Sequence, residues 1–209
     1  MEDTILFDID YTLINSSDSK IIRRNKISDL SGFSIEKILE VENSYVKSDS
    51  GFTDFNPDDY IVHISKALGV DFEKVKEIFF SDDVFTNALY SDVNNSLEKI
   101  HQNYECGVFS EGFEDFQLIK LHKSGILHFF KKEITFIFRR KLTVEVLNLL
   151  PENCFIIDDN PSVISALVEA GRFRPIWLNR KTKEKHGECK TTFDLTDIGN
   201  ALENYSSIK

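Results

Sequence analysis

Apolar runs that end in polar residues recur along the chain and predict its strands. The first run, Ile5–Phe7, is followed by Asp8 and Asp10, which lie one residue apart. A short apolar run bounded in this way is typical of a buried strand. Four more such runs follow, at residues 106–109, 134–138, 154–157 and 174–178. Apolar residues at helical spacing separate the runs, so the pattern predicts an α/β fold with a parallel sheet that helices cover on both faces.

A long stretch between the first two runs follows a different pattern. From residue 20 to about residue 85 the apolar spacing is helical and no strand is indicated. Asn56 and Pro57 are typical of a helix start, and Gly69 is typical of a helix end. Four apolar residues fall on one face of an earlier helix: Ile35, Ile38, Leu39 and Val46. The pattern therefore predicts an all-helical insert, residues 15–88, within an α/β core formed by residues 1–14 and 89–209.

The last run and the residues after it predict the end of the fold. Pro175 lies near the start of this run and indicates an edge strand, because proline has no amide proton for a sheet. A basic polar loop follows. Apolar residues at helical spacing between Leu195 and Tyr205 then predict a C-terminal helix.

Composition narrows the class of protein. The chain has 209 residues, 41% of them hydrophobic and 29% charged, which are ordinary values for a globular protein. Its net charge of −10 disfavours nucleic acid as a partner, because that binding depends on a cationic surface. No apolar run reaches membrane-spanning length, so we expect no membrane partner. The chain enters its first strand without a signal peptide, and we expect a cytoplasmic protein.

The three cysteines do not indicate a disulfide framework. Cys106, Cys154 and Cys189 are odd in number and form no CxxC pair. His186 lies three residues before Cys189, but no second pair of ligands accompanies them, so a zinc site is not expected. Cys106 and Cys154 adjoin apolar runs and are expected to be buried.

Polar residues of chemically useful types follow four of the predicted strands. They are Asp8, Asp10, Ser110, Lys141, Asp158 and Asp159. Each could serve only as a turn, cap or solvated residue. However, the carboxyl ends of parallel strands share one edge of a sheet, where these residues would converge. Two acids as close as Asp8 and Asp10 resist joint ionisation, which suggests a bound cation or two different roles.

These residues, in this order, resemble the four motifs of the haloacid dehalogenase-like (HAD) hydrolase superfamily. The sequence Asp8-Ile9-Asp10-Tyr11-Thr12 is similar to the first motif, and Ser110, Lys141 and Asp158-Asp159 are similar to the other three. The resemblance spans nearly the whole chain. It implies a Rossmann-like doubly wound parallel sheet with an inserted all-helical cap, which would recognise the substrate and exclude water.

Three positions depart from the usual motifs. Glu111 stands where asparagine is common, and Val163 stands where many relatives have an acid or an amide. Leu142 stands where proline commonly follows the lysine of the third motif, so Arg140 remains a rival to Lys141 for that role.

The resemblance implies a role for each motif residue. Asp8 is the expected nucleophile, and Asp10 is the expected general acid and base. Lys141 is expected to neutralise the nucleophile and the phosphate. Substrate binding is expected from three residues: Thr12, Ser110 and Glu111.

The resemblance also implies a metal cofactor, Mg²⁺. Its expected ligands are Asp8, the backbone carbonyl of Asp10, and Asp159. Asp158 is expected to lie behind these ligands and to orient Lys141 or a metal-bound water.

The expected function is a Mg²⁺-dependent phosphatase that hydrolyses a small phosphorylated metabolite, such as a sugar phosphate or a nucleotide, through an aspartyl-phosphate. Dehalogenase members of the superfamily lack the second acid, which this chain retains as Asp10. A phosphomutase, or a phosphate-binding interaction protein with little turnover, remains an alternative. In the insert, Lys20, Arg23 and Arg24 either contact an anionic substrate or form an ordinary solvated face. The oligomeric state stays open.

Overall fold

The computed structural model describes residues 3–45 and 55–205. The expected contribution of Val46 to a helical face lies outside these residues. The chain divides into two compact units, one formed by residues 1–15 and 89–209 and the other by residues 16–88. The first unit contains the sheet, and the second is helical.

The sheet has six strands, and all of them run parallel, as the pattern predicted for its first five. The strands are β1 (Thr4–Phe7), β2 (Glu105–Glu111), β3 (Thr135–Phe138), β4 (Phe155–Asp158), β5 (Arg174–Leu178) and β6 (Lys190–Thr192). Their order is β3-β2-β1-β4-β5-β6. Chain order reverses at β1, so the sheet is doubly wound and the Rossmann-like α/β prediction is confirmed.

The edge position predicted from Pro175 is wrong. The strand β5 lies between β4 and β6, and β6 occupies part of the stretch predicted as a polar loop. Arg174 donates its amide proton to the carbonyl of Cys154, the residue before β4, so the next residue, Pro175, has its nitrogen on the β6 side. The strand β6 begins its pairing at Ile176, one residue later, so no bond is lost at the proline. Strand β6 itself has three residues, too few for a pattern to show.

Helices pack around this sheet on both of its faces. They are α6 (Val93–Ile100), α7 (Glu114–Lys123), α8 (Val144–Leu147), α9 (Pro161–Ala170) and α10 (Ile198–Glu203), with two short 3₁₀ turns at Leu127–Phe129 and Lys132–Ile134. Ile5, Leu6 and Phe7 are all fully buried, although successive side chains of a strand point to opposite faces. Both faces of the central strand are therefore covered.

The described part of the helical unit, residues 16–45 and 55–88, contains five helices. They are α1 (Ser16–Ser31), α2 (Ile35–Tyr45), α3 (Pro57–Leu68), α4 (Phe72–Phe79) and α5 (Asp82–Thr86). As predicted, Asn56 caps α3, accepting bonds from the amides of the next turn, and Gly69 ends the helix in the left-handed conformation, with φ of 64°. Among the described residues, no helix combines the length and the apolar character needed to cross a bilayer.

The two arginines of α1 contribute to the structure of the helical unit. Arg23 is buried, with its guanidinium 4.2 Å from the centre of the Phe79 ring. Arg24 forms an ion pair with Glu42, which also accepts a hydrogen bond from the Tyr60 hydroxyl. Neither arginine lies on a merely solvated face.

The chain leaves the sheet unit and returns to it at one point. Ile14 and Leu89 pair as an antiparallel bridge, and the amide of Tyr90 donates to the carbonyl of Leu13 over 3.2 Å. The two crossings into the helical unit are thus side by side.

Candidate active site

Three neighbouring strands end beside one cleft in the sheet unit. Asp8 follows β1, Ser110 lies near the end of β2, and Asp158 ends β4. Because β2, β1 and β4 are adjacent and parallel, their carboxyl ends share an edge of the sheet. The cleft has a volume of about 220 Å³. Its lining residues are Asp8, Asp10, Tyr11, Ser110, Glu111, Lys141, Asp158, Asp159, Asn160 and Val163.

Lys141 joins two of the buried carboxylates in this cleft. Its Nζ donates to Asp8 Oδ1 over 2.8 Å and to Asp158 Oδ2 over 2.5 Å. The Ser110 hydroxyl donates to the same Asp8 oxygen over 3.1 Å. All four side chains are buried, so the charges act on one another with little screening by water.

Burial and charge shift the pKa values of this cluster. Burial raises the pKa of Asp8 to about 7, although the charge of Lys141 opposes this change. Burial would lower the pKa of Lys141, but the charges of Asp8 and Asp158 outweigh it and raise that pKa above its usual range. Lys141 is therefore protonated at neutral pH.

The positions of Arg140 and Lys141 separate the two rivals for the cationic role. Arg140 is exposed, donates to the carbonyl of Arg139 and lies 4.0 Å from Glu111. Glu111 in turn accepts a hydrogen bond from the backbone amide of Lys141 over 3.1 Å. The structure thus brings Lys141, and not Arg140, into contact with Asp8.

Thr12 is the one expected substrate-binding residue that does not line the cleft. Its side chain is fully buried, and among the described residues its hydroxyl has no hydrogen-bond partner. The carbonyl of Thr12 accepts two hydrogen bonds from the guanidinium of Arg180, at 3.0 and 3.1 Å. Arg180 also forms a two-pronged ion pair with Asp92, at 2.9 and 3.1 Å.

Asp10 lies in the same cleft as Asp8 but has its own partners. The Lys120 ammonium donates to both Asp10 carboxylate oxygens over 2.7 Å. The Gln117 amide donates to Asp10 Oδ2 over 3.0 Å and to the backbone carbonyl of Glu111 over 2.7 Å. The two carboxylates of the first motif are therefore held by different side chains.

The sequence pattern did not single out Lys120 or Gln117. They lie three residues apart on α7, and both belong to its buried face together with Phe116 and Leu121. A lysine and a glutamine on an otherwise apolar helix face were the available signal, because buried polar groups need partners.

Asp159 contacts a surface lysine. Its carboxylate Oδ2 lies 3.0 Å from the Lys181 ammonium, which also lies 4.6 Å from the centre of the Tyr11 ring. Burial raises the pKa of Asp159, and Lys181 opposes this shift. The backbone carbonyl of Asp159 accepts a hydrogen bond from the Trp177 indole over 2.9 Å, which fixes the turn after β4.

Three carboxylates among the described residues could hold a metal ion. Asp8, Asp158 and Asp159 each offer an oxygen, and these oxygens lie within 4.8 Å of one another. Carboxylate oxygens are the ligands that Mg²⁺ prefers, so this donor set fits that cation. The Asp10 carboxylate is not in the group, and the contribution expected of Asp10 is its backbone carbonyl.

The fold has known counterparts among solved structures. No model of a protein family matches the sequence, and no curated protein matches it. A Burkholderia xenovorans protein named a haloacid dehalogenase-like hydrolase is similar over 99% of both chains, with a TM-score of 0.72 and 14% identity. Bacillus subtilis YfnB, named a HAD-hydrolase and bound to magnesium, is similar over 96% of this chain and 98% of its own, with a TM-score of 0.67 and 16% identity.

A third counterpart carries the name of an activity. A HAD phosphatase from Thermococcus onnurineus is similar over 96% of this chain and 97% of its own, with a TM-score of 0.59 and 19% identity. Proteins named as 2-haloacid dehalogenases and as a β-phosphoglucomutase also match.

Fold and site together define an α/β protein with a cleft rich in carboxylates at the carboxyl edge of a parallel sheet. The fold is that of the HAD hydrolases, as the resemblance of the motifs implied.

Proposed function

We propose that the protein is a HAD-type phosphatase that hydrolyses a small phosphorylated metabolite through an aspartyl-phosphate on Asp8. The observation that carries this proposal is the pair of carboxylates in one cleft with separate partners. Asp8 contacts Lys141 and Ser110, whereas Asp10 contacts Lys120 and Gln117. Two acids in different environments can take different roles in one reaction.

In the first step, an Asp8 carboxylate oxygen attacks phosphorus as the bond to the leaving oxygen breaks. Asp10 gives its proton to that oxygen, and the alcohol departs. In the second step, Asp10 takes a proton from water while the water oxygen attacks phosphorus. The bond between Asp8 and phosphorus breaks, and inorganic phosphate leaves. General acid and base catalysis of this kind contributes roughly 10²–10⁴-fold to the rate.

Lys141 and Ser110 reduce the repulsion between Asp8 and the phosphate. The Lys141 ammonium already contacts Asp8, so it lies where negative charge accumulates during attack. Asp158 fixes that ammonium from the opposite side through its 2.5 Å contact. Ser110 donates its proton to Asp8 here and can donate to a phosphoryl oxygen when substrate is bound.

Mg²⁺ is the cofactor that we propose for this site. Asp8, Asp159 and the backbone carbonyl of Asp10 would hold it, with Asp158 beside them. When bound, the cation would neutralise charge on the phosphate and on the attacking carboxylate. The oxygen atoms of Asp8, Asp158 and Asp159 lie close enough together to share one ion.

The presence of Asp10 favours phosphatase over dehalogenase chemistry. A halide needs no proton as it leaves, whereas an alkoxide does, so only phosphate-ester cleavage uses a second acid. A sugar phosphate or a nucleotide is the substrate class that we propose, as the resemblance implied.

The test is a hydrolysis assay with p-nitrophenyl phosphate and a panel of phosphorylated sugars and nucleotides. We expect turnover by the wild type with Mg²⁺, loss of turnover with EDTA, and loss in Asp8→Asn. The matched control is Asp115→Asn, which changes an exposed acid of α7 and should retain activity. If the wild type hydrolyses nothing in the panel, the proposal is wrong, and product formed only with a bisphosphate activator would indicate a mutase.

A further inference from the structure

The general acid proposed for the reaction is held by a buried lysine from a helix outside the four motifs. Lys120 is 8% exposed and Gln117 is 2% exposed, yet both direct polar atoms at the Asp10 carboxylate. Removing a lysine from water is costly unless a partner of opposite charge receives it. The contact between Lys120 and Asp10 is therefore a specific part of the fold rather than a surface ion pair.

Lys120 has a fixed position. Its ammonium lies 4.6 Å from the centre of the Phe116 ring, and its backbone carbonyl accepts a hydrogen bond from the Ser124 hydroxyl. Its two bonds to Asp10 are equal in length, so the ammonium sits symmetrically on the carboxylate. A side chain fixed at both ends sets the orientation of its partner.

Gln117 connects the same carboxylate to the end of β2. One amide group donates both to Asp10 and to the carbonyl of Glu111, the last residue of that strand. Gln117 thus fixes the Asp10 side chain relative to the sheet edge on which Ser110 and Asp8 lie.

We propose that Lys120 and Gln117 are positioning residues that hold the Asp10 carboxyl group where it exchanges a proton first with the leaving oxygen and then with the attacking water. This inference rests on the proposed phosphatase function. Lys120 does not line the cleft, whereas Lys141 does, so the charge of Lys120 is directed at Asp10 and not at substrate. A proton donor must lie at hydrogen-bond distance from the leaving oxygen, and these two side chains set that geometry.

The leaving group gives a readout that a merely structural role would not change. The nitrophenolate of p-nitrophenyl phosphate leaves readily without a proton, whereas the alkoxide of benzyl phosphate requires one. We expect Lys120→Met to lower kcat/KM for benzyl phosphate about tenfold or more beyond its effect on p-nitrophenyl phosphate, within the range that general acid catalysis contributes. Gln117→Leu keeps the charge of Lys120 and should show a smaller change in the same sense.

Three further variants sharpen the measurement. Lys120→Arg keeps a cationic donor and should recover part of the benzyl phosphate activity. Lys120→Met should have no further effect in an Asp10→Asn background, because it acts through Asp10. Lys99→Met removes an exposed lysine of α6 and should leave both rates unchanged. Circular dichroism and thermal unfolding report the folding of each variant, and Gln117→Leu carries the test if Lys120→Met does not fold.

The outcomes separate this inference from the function on which it rests. An equal loss on both substrates, or a rise in KM alone, would overturn the positioning role while the phosphatase proposal stands. A full additional loss in the Asp10→Asn background would overturn it too. A wild type that hydrolyses neither probe nor any metabolite would overturn both proposals together.

Discussion

At the scale of single residues, the burial of Asp8 carries an electrostatic cost. Its carboxylate is buried beside a second buried carboxylate, Asp158, with Lys141 as the ion-pair partner that they share. Burial raises the pKa of Asp8 from 3.8 to about 7. Between these two pH values, the folded protein therefore keeps a proton on Asp8 that the unfolded chain has released.

The sign of the resulting pH dependence follows from proton counting. Below pH 3.8 Asp8 is protonated in both states and carries no penalty. Between 3.8 and about 7 only the folded state keeps the proton, so rising pH favours the unfolded chain, by up to about 1.4 kcal/mol per pH unit from this group. Above about 7 the loss of stability from Asp8 is complete. Lys141 stays protonated in both states across this range, so it adds no slope.

Asp8→Asn should therefore stabilise the metal-free protein more at pH 8 than at pH 5. Urea unfolding at the two pH values, with EDTA present, measures the difference in free energy between variant and wild type. Asp115→Asn serves as the control, because its carboxylate is exposed. A difference that does not change with pH would contradict a raised pKa at Asp8.

Residue patterns found the carboxylates that line the cleft but not all of their partners. Asp8, Ser110 and Asp158 were found because each follows an apolar run that the sequence marks as a strand. Lys120 and Gln117 were missed because a polar residue on a helix can be recognised as buried only when the element packed against that helix face is known. Thr12 was expected to bind substrate from the resemblance of its motif, but its side chain is fully buried and is not part of the cleft lining.

At the scale of elements, the turn after β1 depends on a residue far along the chain. Arg180 follows β5 and binds the carbonyl of Thr12 and the carboxylate of Asp92. Asp92 also accepts the backbone amide of Leu195 over 2.7 Å. The arginine thus joins the end of the first motif, the start of α6 and the segment before α10.

Arg180→Met should destabilise the protein by about 3–5 kcal/mol. The change removes the guanidinium that pairs with the largely buried Asp92 carboxylate and that donates to the Thr12 carbonyl. Arg180→Lys should lie between the variant and the wild type, since one ammonium cannot replace a planar two-pronged donor. Thermal and urea unfolding measure these changes. The control is Lys185→Met, which changes an exposed residue in the same loop. If Arg180→Met lowers the free energy of unfolding no more than this control does, the prediction is wrong.

Element prediction succeeded where a pattern was long and failed where it was short. The five longer strands each have at least four residues and were visible as apolar runs. The strand β6 has three residues within a basic stretch, so neither its length nor its composition signalled a strand. The consequence was the wrong edge assignment for Pro175, because the position of a strand in a sheet depends on its neighbours and not on its own sequence.

At the scale of the whole molecule, the cysteines lie in the interior. Cys106, Cys154 and Cys189 are all free and buried, as was expected for the first two. Burial raises the pKa of Cys106 and Cys154 to about 12 and that of Cys189 to about 11. A thiol reacts as its thiolate, so all three should be inert at neutral pH.

A thiol-specific disulfide reagent tests this expectation at pH 7.5. The folded protein should react slowly, and the same protein in denaturant should react quickly at all three thiols. Rapid modification of one thiol in the folded state would show that a cysteine is accessible, and Cys→Ser variants would identify it. The absence of nucleic-acid binding, expected from the net charge, stays a prediction.

The bridge between Ile14 and Leu89 has a consequence for loop-closure entropy. A chain segment that leaves and re-enters a domain at neighbouring residues closes a loop, and lengthening such a loop costs only about 0.6 kcal/mol for each doubling. Residues 16–88 form a compact unit of their own, so most of that segment does not contribute to the entropy cost of closing the loop. The sheet unit can therefore carry inserts of very different size at this point with almost no change in the free energy of its own folding.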